Sequence, residues 1–304
     1  MSDQKNPPQS GNNVPAQGSL FAELPEQEHG DARRERPVKR KLQVANGYLL
    51  EFDNISRVLS ASWENRSLNR INRVVLVEST GFPDRQVESL MSVASAMGLV
   101  QPRVQKPTVF GSLVATHDVF FERQGTLEWC HYRGAGSMRN LVWFDVFNRL
   151  LVEYEPMTHP EWNTWFRKEL AGQYSERTIQ KVVREEVHFV IDAYLQQKLK
   201  VLGILELGDG DAIVPQRHRQ IDHLVFAAML YDFIESHGGR TFEITELTRL
   251  PGSPAVAFVL DADSMRTLVE ALHMEGLVRY ETTHNLDQIR LIPGYGSDEF
   301  LRAY

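Results

Sequence analysis

The sequence predicts a mainly α fold, with winged helix-turn-helix domains at both ends of a helical middle domain and small β-hairpin wings. Three observations support this prediction. Apolar residues recur at spacings of three and four along much of the chain, which is typical of amphipathic helices. Near each end, helical segments are followed by two short β-rich segments, as in a winged helix. The middle collects most of the tryptophan and phenylalanine, which indicates a packed core.

The length of 304 residues exceeds that of one usual domain. We predict a disordered arm at 1–41, a winged helix-turn-helix at 42–120, a helical domain with a helix-turn-helix at 121–206 and a C-terminal winged helix at 207–304. The arm is rich in Gln, Asn, Pro and Gly and ends in the basic run RRERPVKRK. This basic run could contact a phosphate backbone, or it could be a solvent-exposed junction between the arm and the first folded element.

In the N-terminal unit, helices are predicted at 48–60, 68–78 and 83–97, and LVQPRVQKPTVF predicts a hairpin wing. The helical phase places Val74 inward and Ser89 outward. A groove-facing surface would carry cations for phosphates and an amide for an adenine edge. The phosphate candidates are Arg70, Arg73, Arg85, Arg103 and Lys106, and Gln86 is the base-edge candidate. The alternative is a winged helix that packs on another protein.

In the middle domain, Thr158 and Glu161 have the spacing of a capping box that opens a helix at 160–170. The tryptophans and phenylalanines there predict a packed core, with base stacking as the alternative. The link AGQY then leads to the helix Tyr174–Leu195, which Ser175 can cap.

The helix Tyr174–Leu195 has one apolar face, formed by Ile179, Val182, Val183, Val187, Val190, Ile191 and Tyr194. The opposite face carries side chains that can reach phosphates, namely Arg177, Lys181 and Arg184, and a candidate for base edges, Gln180. Glu185 and Glu186 argue against deep insertion of the middle of this helix into a groove.

The C-terminal unit repeats the order of three helices and a hairpin, at 220–236, 243–250, 263–275 and 277–292. Asp261 or Asp263 can cap the third helix. This unit is more acidic, which favours protein contact or dimerisation over DNA contact. The loop GDGD before it predicts a surface turn and not a cation site, because a calcium loop needs more oxygen ligands.

Composition restricts the class of protein. The net charge of −7 disfavours a uniformly basic nucleic-acid coat, so binding would depend on local patches. Cys130 is the only cysteine, which excludes an intramolecular disulfide and multi-thiolate metal sites. The sequence shows neither a bilayer-spanning apolar run nor a secretory-type segment. We therefore expect a cytoplasmic protein with no membrane association.

No catalytic motif is apparent. The ten histidines lack HxH, HExxH or Cys/His spacing, and no acidic pair on adjacent strands has a nearby lysine, as a nuclease would need. Gly134 and Gly136 lack the GK[ST] step of a phosphate-binding loop. We predict no enzymatic activity, no cofactor and no metal, with a nuclease as the lowest-ranked alternative.

Two segments, GTLEWCHYRGAGSMRNLVWFDVFN and SERTIQKVVREEVHFVIDAYL, give the chain a resemblance to an uncharacterised prokaryotic family. That family occurs in phage-defence islands beside genes of DNA phosphorothioation and phosphoadenosine-phosphosulfate-reductase-like sulfurtransferases. The resemblance spans about Leu49 to Ile292. It implies a DNA-linked accessory or regulatory role in antiviral defence and supplies no catalytic residues.

Together these inferences predict a non-enzymatic, DNA-binding component of a bacterial anti-phage system that is linked to DNA modification. The expected partners are double-stranded DNA and other defence-system proteins, with homodimerisation also possible. Two alternatives stay open. One is an adaptor subunit that uses its winged helices to bridge proteins, and the other is a dimeric transcriptional repressor of its own operon.

Overall fold

The computed structural model describes residues 40–216, 220–283 and 286–304, which are mainly helical, as predicted. The predicted arm and its basic run lie outside these residues, apart from Arg40 and Lys41. Apolar side chains from all parts of the described chain join one hydrophobic core cluster. The predicted domain boundaries at 120 and 206 stay predictions. Among the described residues, none of the helices combines the length and apolarity needed to cross a membrane.

The first half of the chain forms α1 (Phe52–Glu64), α2 (Arg73–Thr80), α3 (Asp84–Ala96), α4 (Val109–His117), α5 (Gln124–Gly136) and α6, which runs through Leu141–Asp145, Val146–Leu150 and Leu151–Glu153. The second half forms α7 (His159–Glu169), α8 (through Glu176–Thr178, Ile179–Val183 and Arg184–Leu195), α9 (His223–Ser236), α10 (Ile244–Leu247), α11 (Pro254–Ala257), α12 (Ala262–Met274) and α13 (Ser297–Ala303). The central segments of α6 and α8 are π turns. Short 3₁₀ turns span Lys198–Leu202 and Asp209–Asp211.

The short strands form two antiparallel sheets. β1 (Met157–Thr158), β2 (Leu205–Leu207) and β3 (Ala212–Pro215) are ordered β1-β3-β2, and β4 (Thr241–Glu243), β5 (Arg279–Glu281) and β6 (Gln288–Arg290) are ordered β4-β6-β5. In the second sheet, Arg290 lies opposite both Thr241 and Arg279. The GDGD segment is the exposed turn between β2 and β3.

The N-terminal unit differs from its prediction in helix phase. Val74 was expected inward but is 62% exposed, whereas Leu76 is fully buried. The cause is the start of α2, because the Asn72 side chain accepts a hydrogen bond from Val75 N and begins the helix five residues later than predicted. Ser89 was expected outward but is buried, and its hydroxyl donates to the Ala45 carbonyl.

The predicted hairpin at 99–110 is also different. Its only described strand-like pairing is the isolated bridge between Val100 and Pro107, and Val109 already belongs to α4. Thr108 caps α4 by accepting from Gly111 N. A side chain at Gly111 would meet the Leu99 carbonyl at 1.8 Å, so this glycine lets α4 pack directly on the preceding segment. The loop therefore ends as a helix cap and not as a second strand.

The middle and C-terminal units follow the sequence more closely. The seven predicted core aromatics are all buried: Trp129, Trp143, Phe144, Phe147, Trp162, Trp165 and Phe166. The Asp261 side chain accepts from Ser264 N at the start of α12. Helices and hairpin occur in the predicted C-terminal order, with β4 added in front of α10, α11 added after it and α13 added after the hairpin. The winged-helix assignment of either end stays a prediction.

Candidate nucleic-acid interface

The start of α8 is fixed by its own sequence, as predicted. The Ser175 side chain accepts from Thr178 N at 3.2 Å and so satisfies one of the free amides of the first turn. α8 follows α7 after a six-residue connection in which Gly172 has a φ of 79°. This left-handed backbone is one that glycine adopts without a steric penalty. The two helices then pack on each other.

One side of α8 is basic and exposed. Arg177, Lys181, Arg184 and His188 are spaced by four, three and four residues, so they lie on one side of the helix. We call these four residues the α8 basic face. At 1.5 Å per residue the face is about 16 Å long, and the π turn widens it toward Arg177. None of the four forms an ion pair within the described part of the chain.

Glu186 points away from this face into the protein interior. Its carboxylate accepts backbone N–H bonds from Val44 at 2.9 Å, Ala45 at 3.0 Å and Asn46 at 3.1 Å. Burial raises the pKa of Glu186 to about 7, although the three N–H donors and Lys41 act in the opposite direction. Its charge is therefore part of the internal structure and not of the exposed surface.

Glu185 is half-buried, and its carboxylate lies beside Gly47. A side-chain carbon added at Gly47 would come within 3.4 Å of Glu185 Oε2. Glu185 and Glu186, whose charges were expected to disfavour insertion of α8 into a groove, are thus both directed toward the 44–47 segment. The α8 basic face is left without their acidic groups.

The remaining candidate on α8, Gln180, is exposed but engaged locally. Its amide donates to Glu176 Oε1 at 2.8 Å, one turn earlier in the helix. A contact between Gln180 and a base edge would therefore have to replace this hydrogen bond.

The segment at 40–46 connects α8 to α3 and α6. Lys41 Nζ donates to Ser92 Oγ at 2.6 Å, and the Ser92 hydroxyl donates to the Val44 carbonyl at 2.6 Å. Burial is the main cause of the lowered pKa of Lys41. Arg40 forms a 2.6 Å ion pair with Asp145, which is buried in α6. This segment holds three helices in a fixed arrangement behind the α8 basic face.

The C-terminal part of α8 is fixed by a buried hydrogen-bond chain. The Trp143 indole N–H donates to the Tyr194 hydroxyl at 2.9 Å, and that hydroxyl contacts His131 Nδ1 at 2.5 Å. His131 Nε2 lies 2.8 Å from the Ala257 carbonyl. Because an indole only donates and a carbonyl only accepts, the tyrosine must donate to Nδ1 and the proton must sit on Nε2. Burial lowers the pKa of His131 to about 3, so this ring is neutral.

The candidates in the N-terminal unit lie among acidic residues. Arg73 Nε is 2.7 Å from Asp84, and Arg73 Nη1 is 2.6 Å from Glu88, both on α3. Arg85 is exposed between these two acids, and Gln86 is half-buried. Of the other predicted phosphate contacts, Arg70 and Arg103 are exposed and Lys106 is half-buried.

The structure brings together two histidines that the sequence did not connect. His159 begins α7, and His188 lies on α8, with ring centroids 5.7 Å apart and planes 10° from parallel. They are 29 positions apart in the sequence, so no local motif could have paired them. In the part of the chain that the structure describes, His, Cys, Asp and Glu side chains do not form any group of three or more suited to a metal ion.

Comparison with known proteins places the chain in a family. The profile of the family described as "Protein of unknown function (DUF4007)" matches residues 86–303. The chain belongs to this family. A search of curated proteins found no match.

Two solved structures share the fold. "Magnesium ion-bound SspB crystal structure" is 12% identical, with a TM-score of 0.69, and "SspB crystal structure" is 13% identical, with a TM-score of 0.68. Each comparison covers 86% of this chain and 85% of the other. At this level of identity, the similarity establishes the fold alone.

Proposed function

We propose that this protein binds double-stranded DNA through the α8 basic face, as a non-enzymatic component of a bacterial anti-phage defence system that is linked to DNA modification. The orientation of the glutamates carries the proposal. Glu186 and Glu185 are directed toward the 44–47 segment, and Arg177, Lys181, Arg184 and His188 remain on the other side of the helix without acidic partners. Unpaired cations on a rigid helix are suited to phosphate contact.

The binding would be governed by charge more than by base sequence. Arg177, Lys181 and Arg184 would replace counterions along the phosphate backbone. None of these side chains would first have to break an ion pair with another described residue. The base-edge candidates are less available, since Gln180 bonds Glu176 and Gln86 is half-buried. A sequence-tolerant mode therefore fits these side chains better than direct readout of adenine.

The defence context is supported by sequence resemblance and not by geometry. Membership in the DUF4007 family agrees with an uncharacterised family as the origin of the resemblance. The partners in this proposal are double-stranded DNA and other proteins of the same system.

The test is a salt titration of binding between the full chain and a fluorescent duplex. The variants are Lys181→Ala/Arg184→Ala on α8, Arg85→Ala/Arg103→Ala on the N-terminal unit, and a matched control, Lys200→Ala/Arg249→Ala, which removes two exposed cations elsewhere. The α8 pair should lower the slope of log K against log salt by about 1.8, since each phosphate contact contributes about 0.9. The control should leave the slope unchanged. Equal losses in all three variants would contradict a localised interface, and no binding at low salt would contradict DNA binding altogether.

The non-enzymatic part of the proposal has a separate test. Pure protein is incubated with supercoiled plasmid and magnesium, the ion named for one of the similar structures. The plasmid should stay supercoiled. Conversion to the nicked form by wild type, reproduced across preparations and abolished by a chelator, would show that the chain is an enzyme.

A further inference from the structure

We propose that His159, His188 and Arg184 form a binding site for a phosphate group between α7 and α8. The site is compact, because the two imidazoles stack at 5.7 Å and Arg184 acts electrostatically on His159. It joins residues from both helices. The inference rests on the proposed function in one respect, namely that the α8 basic face, to which Arg184 and His188 belong, meets DNA.

The first argument is an unused hydrogen-bonding atom. His159 Nε2 is buried and has no hydrogen-bond partner among the described residues. A buried polar atom without a protein partner is costly and uncommon, so His159 Nε2 retains hydrogen-bonding capacity that the described side chains do not use. When protonated, this nitrogen can donate to an oxygen that enters between the helices.

The second argument is the local charge. After burial, the two influences on His159 are His188 and Arg184, and all three lower the pKa of His159. Three acids on the same helices have contacts of their own, and one of them, Asp192, four residues after His188, accepts from the Gln197 amide. Glu161 accepts from the backbone and hydroxyl of Thr158, and Glu185 lies beside Gly47. Basic side chains thus converge here without an acidic partner, which is the arrangement expected of an anion site.

The third argument identifies the anion as a phosphate. A guanidinium presents parallel N–H donors that match two oxygens of a phosphate, and an imidazole adds a further donor. Arg184 and His188 also continue the line of Arg177 and Lys181, so the ligand is the next phosphate along the same surface. Either a backbone phosphodiester or the monoester at a DNA end has the required chemistry.

Bound phosphate should favour the charged imidazoles. Its negative charge offsets the effect of Arg184 on His159, so the pKa of His159 should rise when phosphate binds. A purely structural histidine stack would not show this change.

The test is NMR of the full chain with ¹⁵N-labelled histidine, titrated with inorganic phosphate against chloride at equal ionic strength. His159→Gln and His188→Gln assign the signals, and His237, which contacts the Phe233 carbonyl, is the internal control. The ¹⁵N signals of both site histidines should shift saturably with phosphate, and His159 should titrate at higher pH, while the chemical shifts of His237 should not respond to phosphate. Arg184→Gln should weaken phosphate affinity by about tenfold. No saturable shift, or a shift that requires added zinc, would overturn the proposal.

A duplex arm separates this inference from the proposed function. His159→Gln is compared with wild type for binding to duplexes that end in a 5′-phosphate or a 5′-hydroxyl. Loss restricted to the 5′-phosphate duplex assigns the site to a DNA end, and equal loss on both assigns it to the backbone. Saturable inorganic-phosphate binding without duplex binding would keep the site and reject the proposed function. Duplex binding that depends on Lys181 and not on His159 would keep the proposed function and reject the phosphate site.

Discussion

The outer surface of α2 and α3 and the outer surface of α8 both carry cationic candidates, but they differ in where their acids point. On α3, Asp84 and Glu88 face outward and hold Arg73 in two ion pairs. On α8, Glu186 faces inward and accepts three backbone N–H groups, and Arg184 keeps an unpaired charge. The comparison teaches that a count of basic residues is a poor guide to a binding surface, because the direction of neighbouring acids decides how much charge is available.

The largest expected effect concerns the inward acid. Glu186→Ala leaves the Val44, Ala45 and Asn46 amides without their acceptor, so we expect the unfolding free energy to fall by about 3–5 kcal/mol. Denaturant unfolding at pH 8 measures this loss. Glu185→Ala is the control and should cost less than about 1 kcal/mol, since its carboxylate has no hydrogen bond among the described residues. If Glu186→Ala and Glu185→Ala lower the unfolding free energy equally, the inward carboxylate contributes no more to stability than the half-buried one, and the comparison fails.

A second effect tests how α8 is anchored. Tyr194→Phe removes both the acceptor of the Trp143 indole and the donor to His131, so the unfolding free energy should fall by about 2–3 kcal/mol. Tyr154→Phe, at an exposed tyrosine, should change it by less than about 0.5 kcal/mol. If the first variant is as stable as the second, the buried chain does not fix the position of α8.

The third effect is a pH dependence. Burial raises the pKa of Glu186 and of Glu128 to about 7, above the ordinary value of 4.5. Between pH 4.5 and about pH 7, the native state therefore binds more protons than the unfolded state. The stabilisation is fully present below pH 4.5 and is lost as pH rises through 7, by about 1–3 kcal/mol per group.

Thermal or denaturant unfolding between pH 5 and pH 8 measures this slope. Glu186→Gln should flatten it by about half, because Glu128 remains, and Glu185→Gln should leave it unchanged. A slope that survives in Glu186→Gln would show that the inward carboxyl is not one of the titrating groups.

The smallest expected effect comes from a variant that removes the acids of the α3 surface and so makes it resemble the α8 surface. Asp84→Asn/Glu88→Gln releases Arg73 and should raise duplex affinity by about two- to fivefold at low salt. Glu235→Gln/Glu246→Gln changes the net charge equally at exposed acids elsewhere. If the control raises affinity as much as the test variant, total charge and not the pairing of Arg73 explains the result.

Local patterns predicted much of α8 and its surroundings. Ser175 identified the helix start, the apolar spacing identified the buried side, and Arg177, Lys181 and Arg184 were placed outward. These features depend on neighbours within one or two turns, which is why a single sequence reveals them.

Contacts between distant segments could not be predicted in the same way. The role of Glu186 depends on amides some 140 positions earlier, and the sequence alone made this residue an argument against DNA contact. His159 and His188 meet only because α7 and α8 pack together. Thr108, a residue type favoured at helix N-caps, did contain a local signal for a helix start where we predicted a strand.

The π turn at Ile179–Val183 bears on how the surface of α8 can vary between related genes. A π turn contains one residue more than an α turn, so loss of a single codon within it would restore a regular helix. The first turn would rotate by about 100° relative to His188, and Arg177 would move around the axis without any substitution of a charged residue. For this helix, a one-residue gap in an alignment would therefore alter the binding surface more than many exchanges of one side chain for another.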